Sequence, residues 1–167
     1  MSRNFPDDTS WQNSVKFSKI TARYFFKQYV WVVLASGFKV SIVEKIYERW
    51  SKNPTNFSVI RHPLKRKAIE KTSKNYVQRF NELKSKKTES EKLEYLSTLP
   101  HIGDITKYHL AKNLGIEVAK PDVHLQRLMK KFGFKDVQEM CKVIQKKFHH
   151  KISVIDIVLW RYAEQGN

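Results

Sequence analysis

Only one cysteine, Cys141, occurs among 167 residues, so neither an internal disulfide nor a four-cysteine metal site can form within the chain. It falls on the apolar face of a predicted helix and reads as a core thiol in a reducing cytoplasm. Acidic side chains are also few, 16 against 32 basic ones. The resulting net charge of +16 specifies no fold, but it predicts strong, salt-sensitive attraction to polyanions. Long apolar runs are missing: the longest, Val30 to Ala35, is far too short to cross a bilayer. Residues 1–10 are mostly polar and carry two acids, which is not a cleavable signal. The expectation is a cytoplasmic protein without a membrane partner. Strand patterns of useful length and internal repeats are absent as well. What remains is 41% hydrophobic and 13% aromatic, which excludes a disordered chain. The length fits one domain, or two small lobes sharing a core.

Helical spacing therefore organises the chain. Residues 1–8 are expected to be a disordered lead-in, with Thr9 or Ser10 capping a first helix. Trp11 to Phe38 is dense in aromatics, among them Trp11, Phe17, Tyr24, Phe25, Phe26, Tyr29, Trp31 and Phe38. Most are core candidates, and a few are candidates to line a pocket for a planar base. Ser36 and Gly37 interrupt the apolar run, and helical spacing resumes at Val40, Val43, Ile46 and Tyr47. Asn53 to Pro63 connects to a long helix predicted from Leu64 to about Lys84, with Ile69, Tyr76, Phe80 and Leu83 on one stripe. Lys65, Arg66 and Lys67 at its start are either phosphate contacts or a solvated charged turn. Lys84 to Lys87 reads as a mobile basic linker. Toward the C-terminus, Asp136 and Glu139 form a capping pattern for a helix facing inward with Val137, Met140, Cys141, Ile144 and Phe148. Ser153 and Asp156 suggest a similar start for a last helix, with Ile155, Val158, Leu159 and Tyr162 inward, ending before Gly166.

The most informative stretch is Leu99, Pro100, His101, Ile102, Gly103, Asp104, Ile105, Thr106. A helical run from Thr88 to Thr98 is ended by Pro100, Gly103 permits a sharp reversal, and a second helix runs from about Asp104 to Leu114, stopped by Gly115. The unpaired N–H groups of residues 103–106 at such a helix start form a site for an anion, in so basic a chain a nucleic-acid phosphate. Nineteen residues beyond Gly103, after a loop over Ile116 to Pro121, Asp122 opens a further helix running to about Phe132. Its carboxylate is either a helix cap or a group that does chemistry beside the phosphate anchor, and the two roles are compatible.

Leu-Pro-x-Ile-Gly-x-x-Thr followed by Pro-Asp-Val-His resembles the helix-hairpin-helix DNA glycosylases, the group of endonuclease III and the adenine and 3-methyladenine glycosylases. Val33 to Ile42 is similar to the family's early helix and wedge loop, and Ile60–Arg61 through Lys67–Ala68 to the segment before the hairpin. The resemblance spans residues 25–163. It implies an all-α, two-lobed glycosylase fold making a single domain over 1–167, with the hairpin over about 89–115. It also implies a partner, duplex DNA carrying a damaged or mispaired base, bound by a monomer in base excision repair (at the nucleoid in a prokaryote). DNA contacts then fall to Leu99, His101, Ile102, Gly103, Ile105, Thr106, Lys107, Ser36, Gly37, Lys65 and Lys67. Ser36 stands where the family places the residue that fills the hole left by a flipped nucleotide, and otherwise marks an ordinary turn. Asp122 is the implied catalytic residue, with His124 packing or orienting near it. No metal site is implied beyond a monovalent cation at the hairpin, and the four cysteines of the iron–sulfur members are missing, so no cluster is expected.

Base release builds positive charge on the sugar, which a carboxylate stabilises while orienting or deprotonating water. The base must first leave the stack, cheapest when damaged or mispaired. Bifunctional family members carry a lysine two residues after the hairpin glycine. Here that residue is Ile105, which cannot form a Schiff base, and Lys107 is turned about 200° around the helix. The pattern fits a monofunctional glycosylase; the alternatives are a non-catalytic DNA-binding module and a glycosylase with lyase activity using Lys107 or another lysine. His101 replaces the glycine more usual at the hairpin centre, where a positive φ is needed, and is either a DNA contact or a plain turn residue. Asp104 brings a negative charge that Lys107 or a cation must offset. Borohydride should trap no covalent protein–DNA adduct with the wild-type chain, whereas Ile105→Lys should yield some trapped adduct; efficient wild-type trapping would contradict the monofunctional reading.

Overall fold

Side-chain acceptors mark where several of the described helices begin. A computed structural model describes residues 5–164. Over them the chain is all-α: α1 (Phe5–Ser14), α2 (Ala22–Ala35), α3 (Val40–Lys52), α4 (Pro63–Ser73), α5 (Tyr76–Ser85), α6 (Glu89–Ser97), α7 (Thr106–Asn113), α8 (Val123–Lys131), α9 (Val137–Phe148) and α10 (Ile152–Glu164). Short 3-10 turns occur at Phe17–Lys19 and Phe57–Val59. The Thr21 hydroxyl accepts from the Tyr24 amide and so opens α2. Thr88 and Glu91 form a reciprocal capping box for α6. The Asp136 carboxylate accepts from the Glu139 amide at 2.7 Å to start α9. No described helix is long and apolar enough to cross a membrane.

The chain divides into two compact units, one spanning Ile20–Leu110, the other formed by residues up to Lys19 together with those from Ala111 onward. In the Ile20–Leu110 unit, α2 is apolar on most sides and is packed by α3, α4 and α5. Phe25, Tyr29, Val30, Val33 and Leu34 are all buried, each large side chain contributing about 1.5–3 kcal/mol by leaving water. The Phe26 ring stacks on Tyr76 at 4.9 Å and meets the Trp50 edge at 5.9 Å, while Phe25 contacts Phe80 at 5.8 Å.

In the other unit, α10 packs on α1, α8 and α9 around Leu125, Leu128, Val137, Met140, Cys141, Ile152 and Ile155. Cys141 is buried, and burial pushes its thiol up to about 12. Here a glycine is required. Gly115 adopts φ +77 and closes α7 with a 6→1 bond from the Ile116 amide to the Ala111 carbonyl. A Cβ on Gly115 would lie 2.9 Å from the Phe17 nitrogen and the Val15 oxygen, too close to backbone to be relieved.

Several expectations are corrected. The lead-in is helical from Phe5, so Thr9 and Ser10 lie inside α1; residues 1–4 and Gly166 lie outside the described residues. The long helix expected from Leu64 to Lys84 is two helices. Ser73 bonds back to the Glu70 carbonyl, and the Asn75 side chain accepts from Arg79, local bonds that compete with helix continuation and turn Tyr76 onto Phe26. The stretch read as a linker is held: Lys84 and Ser85 end α5, and Glu91 accepts from the Lys87 and Thr88 amides at 2.8 and 2.9 Å. Phe148, Val158 and Tyr162, assigned inward, are exposed.

Asp156 is not a cap. It is buried within α10, ion-paired to Lys112, and accepts from the Lys120 amide, while the Ile152 amide is taken by Glu117 at 2.8 Å. Removing one partner leaves a buried charge. Asp156→Ala should therefore lower stability by about 3–5 kcal/mol in denaturant titration. The double change Lys112→Met/Asp156→Leu should recover only part of that, since the Lys120 amide still loses its acceptor; a loss below about 1 kcal/mol for Asp156→Ala would contradict the pairing.

Candidate nucleic-acid interface

The turn between α6 and α7, where the hairpin was expected, forms because its apolar residues turn inward and its polar backbone stays out. Leu99 and Ile102 are buried, so their side chains hold the turn and only their backbone is available to a partner. The Ile102 amide donates to the Leu99 carbonyl at 3.1 Å, and His101 takes φ +64. The left-handed position thus falls on His101, not on Gly103, whose φ is not positive and where an added Cβ would meet open space. Gly103 is therefore not what reverses the chain, as was expected from its conformational freedom. Its amide donates to the Thr106 hydroxyl at 2.7 Å, with the Thr106 Oγ1 also 3.3 Å from the Gly103 carbonyl.

That bond removes one of the four donors expected to face an anion. The amides of Asp104, Ile105 and Thr106 have no hydrogen-bond partner among the described residues and lie at the start of α7, where the helix dipole favours negative charge. Ile105 is exposed beside them. Lys107 pairs with Asp104 at 3.2 Å; the aspartate side chain is 94% exposed, so the pair contributes at most about 1 kcal/mol.

His101 is exposed at the apex, its ring centroid 6.5 Å from that of His62. Partial burial, and then the positive charge of Lys65 and the neighbouring His62, hold its imidazole below the usual histidine range.

Lys65 is not at the surface. It is 2% exposed, and its ammonium donates to the Leu34 carbonyl at 2.8 Å and to the Ser36 carbonyl, with the Phe38 ring centroid 3.8 Å away. The expected phosphate contact at Lys65 is thus replaced by bonds to the chain's own backbone; Lys67 is exposed, as a phosphate contact requires. Ser36 and Gly37 form the turn between α2 and α3, with Gly37 at φ +76.

Asp122 lies in the other unit. It is the N-cap of α8: Oδ1 accepts from the His124 and Leu125 amides, both at 3.1 Å, and Oδ2 lies 3.8 Å from the Lys120 ammonium. Its side chain is 14% exposed, so Oδ1 is occupied and Oδ2 is met only by a distant cation. The His124 ring faces Trp160 edge-on at 6.1 Å, away from a catalytic pairing with the carboxylate.

No family model, curated protein or solved structure matches this chain. The resemblance to the glycosylases therefore rests on the motif residues alone. Residues missed from the sequence include His62 and Lys120, and the hydrogen bonds of Tyr29, which was read only as a core or pocket aromatic. Lys120 stands two positions before Asp122, a spacing that was readable, as was the cap that His62 gives α4; the ring contacts of His62 and the bonds of Tyr29 span tens of residues and leave no local signal.

Gly103 supplies a clean test. Since a Cβ there has room and no strain, Gly103→Ala should leave the melting temperature within a few degrees. It should still weaken duplex binding to every sequence alike if a phosphate approaches that backbone. Unchanged affinity would remove the hairpin as the anchor.

Proposed function

We propose that the chain is a monofunctional DNA glycosylase, in which the α6–α7 hairpin grips the backbone and Asp122 assists water in releasing a flipped, damaged or mispaired base. The observation that carries this reading is the pairing, in one motif, of three unpartnered amides at the start of α7 with a helix-fixed carboxylate nineteen residues past Gly103. Each half supplies what the reaction needs. The amides and the +16 charge offer a sequence-independent hold on phosphate. The carboxylate is oriented through Oδ1, so that Oδ2 is the atom available to a developing sugar cation or to water. Ile105 beside the anchor favours hydrolysis over Schiff-base chemistry.

A second reading has its own support. A carboxylate that accepts two amides and faces Lys120 has a complete structural role, which is what a non-catalytic DNA-binding module would need of Asp122.

Asparagine separates the two, because it caps helices as well as aspartate does and lacks only the charge. On a panel of lesion-bearing duplexes, wild-type protein should give strand breaks only after alkali. Asp122→Asn should lose base release by about 3–4 kcal/mol, several hundred-fold, with DNA affinity and melting temperature largely kept. Excision by Asp122→Asn at the wild-type rate would refute the assignment, and no wild-type excision across the panel would favour the binding module.

A further inference from the structure

Burying a lysine ammonium is costly unless its donors are satisfied, and this chain does so once beneath the two loops discussed above. Lys65 stands in the first turn of α4 and is held on the carbonyls of Leu34 and Ser36. These belong to the end of α2, whose last carbonyls have no partner within the helix. Phe38 covers the ammonium and meets His62 at 5.8 Å, and His62 in turn faces His101 at the hairpin apex. His62 also caps α4, its Nδ1 accepting from the Lys65 amide. One turn further along α4, the Ala68 carbonyl lies 3.3 Å from the Tyr29 hydroxyl, which donates to the Pro100 carbonyl at 2.7 Å. The start of α4 thus touches the Ser36–Phe38 turn on one side and the hairpin turn on the other, all within one unit.

We propose that Lys65 is a positioning residue: its buried ammonium fixes the Ser36–Phe38 turn and, through Phe38 and His62, supports the hairpin apex, so that it strengthens DNA binding without touching DNA. Its role toward DNA rests on the hairpin's proposed function; its role in holding the loops does not. The charge matters as well as the fit. A neutral side chain of the same length would fill the space and leave the Leu34 and Ser36 carbonyls without a donor.

Lys65→Met is the direct test, read by amide hydrogen exchange of the free protein and by duplex affinity over a range of salt. Exchange should quicken at Gly37, Phe38 and Lys39 and at Ile102 and Gly103. Affinity should fall roughly tenfold at temperatures well below melting, a modest loss of preorganisation. The slope of log affinity against log salt should stay as in wild type, whereas Lys67→Met should flatten it by about 0.9, the loss of one phosphate contact. A flatter slope for Lys65→Met would make Lys65 a direct contact and overturn the proposal, as would unchanged exchange at both loops. A lower melting temperature with unchanged affinity would also overturn it, leaving only a stabilising role. Should Lys65→Met fail to fold, Phe38→Ala removes just the half-buried ring over the ammonium and should weaken binding at constant slope; unaltered binding would overturn the proposal. If the wild-type chain binds no duplex, the reading of the hairpin falls, and exchange alone decides whether Lys65 holds the loops.

Discussion

A helix start leaves backbone N–H groups that need an oxygen, and how this chain meets that need determines much of its structure. Thr21, His62, Thr88, Asp122 and Asp136 each supply a side-chain acceptor to the helix they precede, and Glu117 serves α10 from a distance. Three starts lack such a bond: Lys39 before α3 and Asn75 before α5 make none, and Ile105 before α7 has no side-chain oxygen. Those of α3 and α7 adjoin the turns that the glycosylase resemblance assigns to DNA. Open donors on a strongly basic chain are a natural seat for phosphate oxygens, which would complete α7 as a cap completes the other helices.

The same constraint bears on both roles weighed for Asp122, the cap that is observed and the catalysis that is proposed. A capping carboxylate is rigid, because two amides fix one of its oxygens. Rigidity is also what electrostatic catalysis asks of a group that must wait at the right place for charge to develop. Structural and chemical roles therefore do not compete at this residue. What distinguishes them is the charge itself.

Local signals were legible in the sequence. The helix start at Thr88, the caps at Asp122 and Asp136, the left-handed Gly115 and the turn between α6 and α7 all follow from residues within a few positions of one another. Long-range bonds were not. Nothing beside Lys65 announces that its ammonium belongs to carbonyls some thirty residues earlier, and nothing beside Asp156 announces Lys112 or the Lys120 amide. The break at Lys74–Asn75 was hidden because an apolar stripe continues across it, and it became visible only through the stacking of Tyr76 on Phe26. At the turn before α7 the positive φ falls on His101, where the sequence reading had placed the need for one, while Gly103, read as permitting the reversal, does not bear it and has open space beside it.

The central claim is that the open amides at the start of α7 are the DNA anchor. It is tested most directly by following backbone amide resonances while a short duplex containing an abasic-site analogue is added. The account predicts that Asp104, Ile105 and Thr106 move early and strongly, as donors that gain a phosphate acceptor, and that the Gly103 amide, already bonded to Thr106, moves less. Binding of the duplex with those three amides unmoved would contradict it.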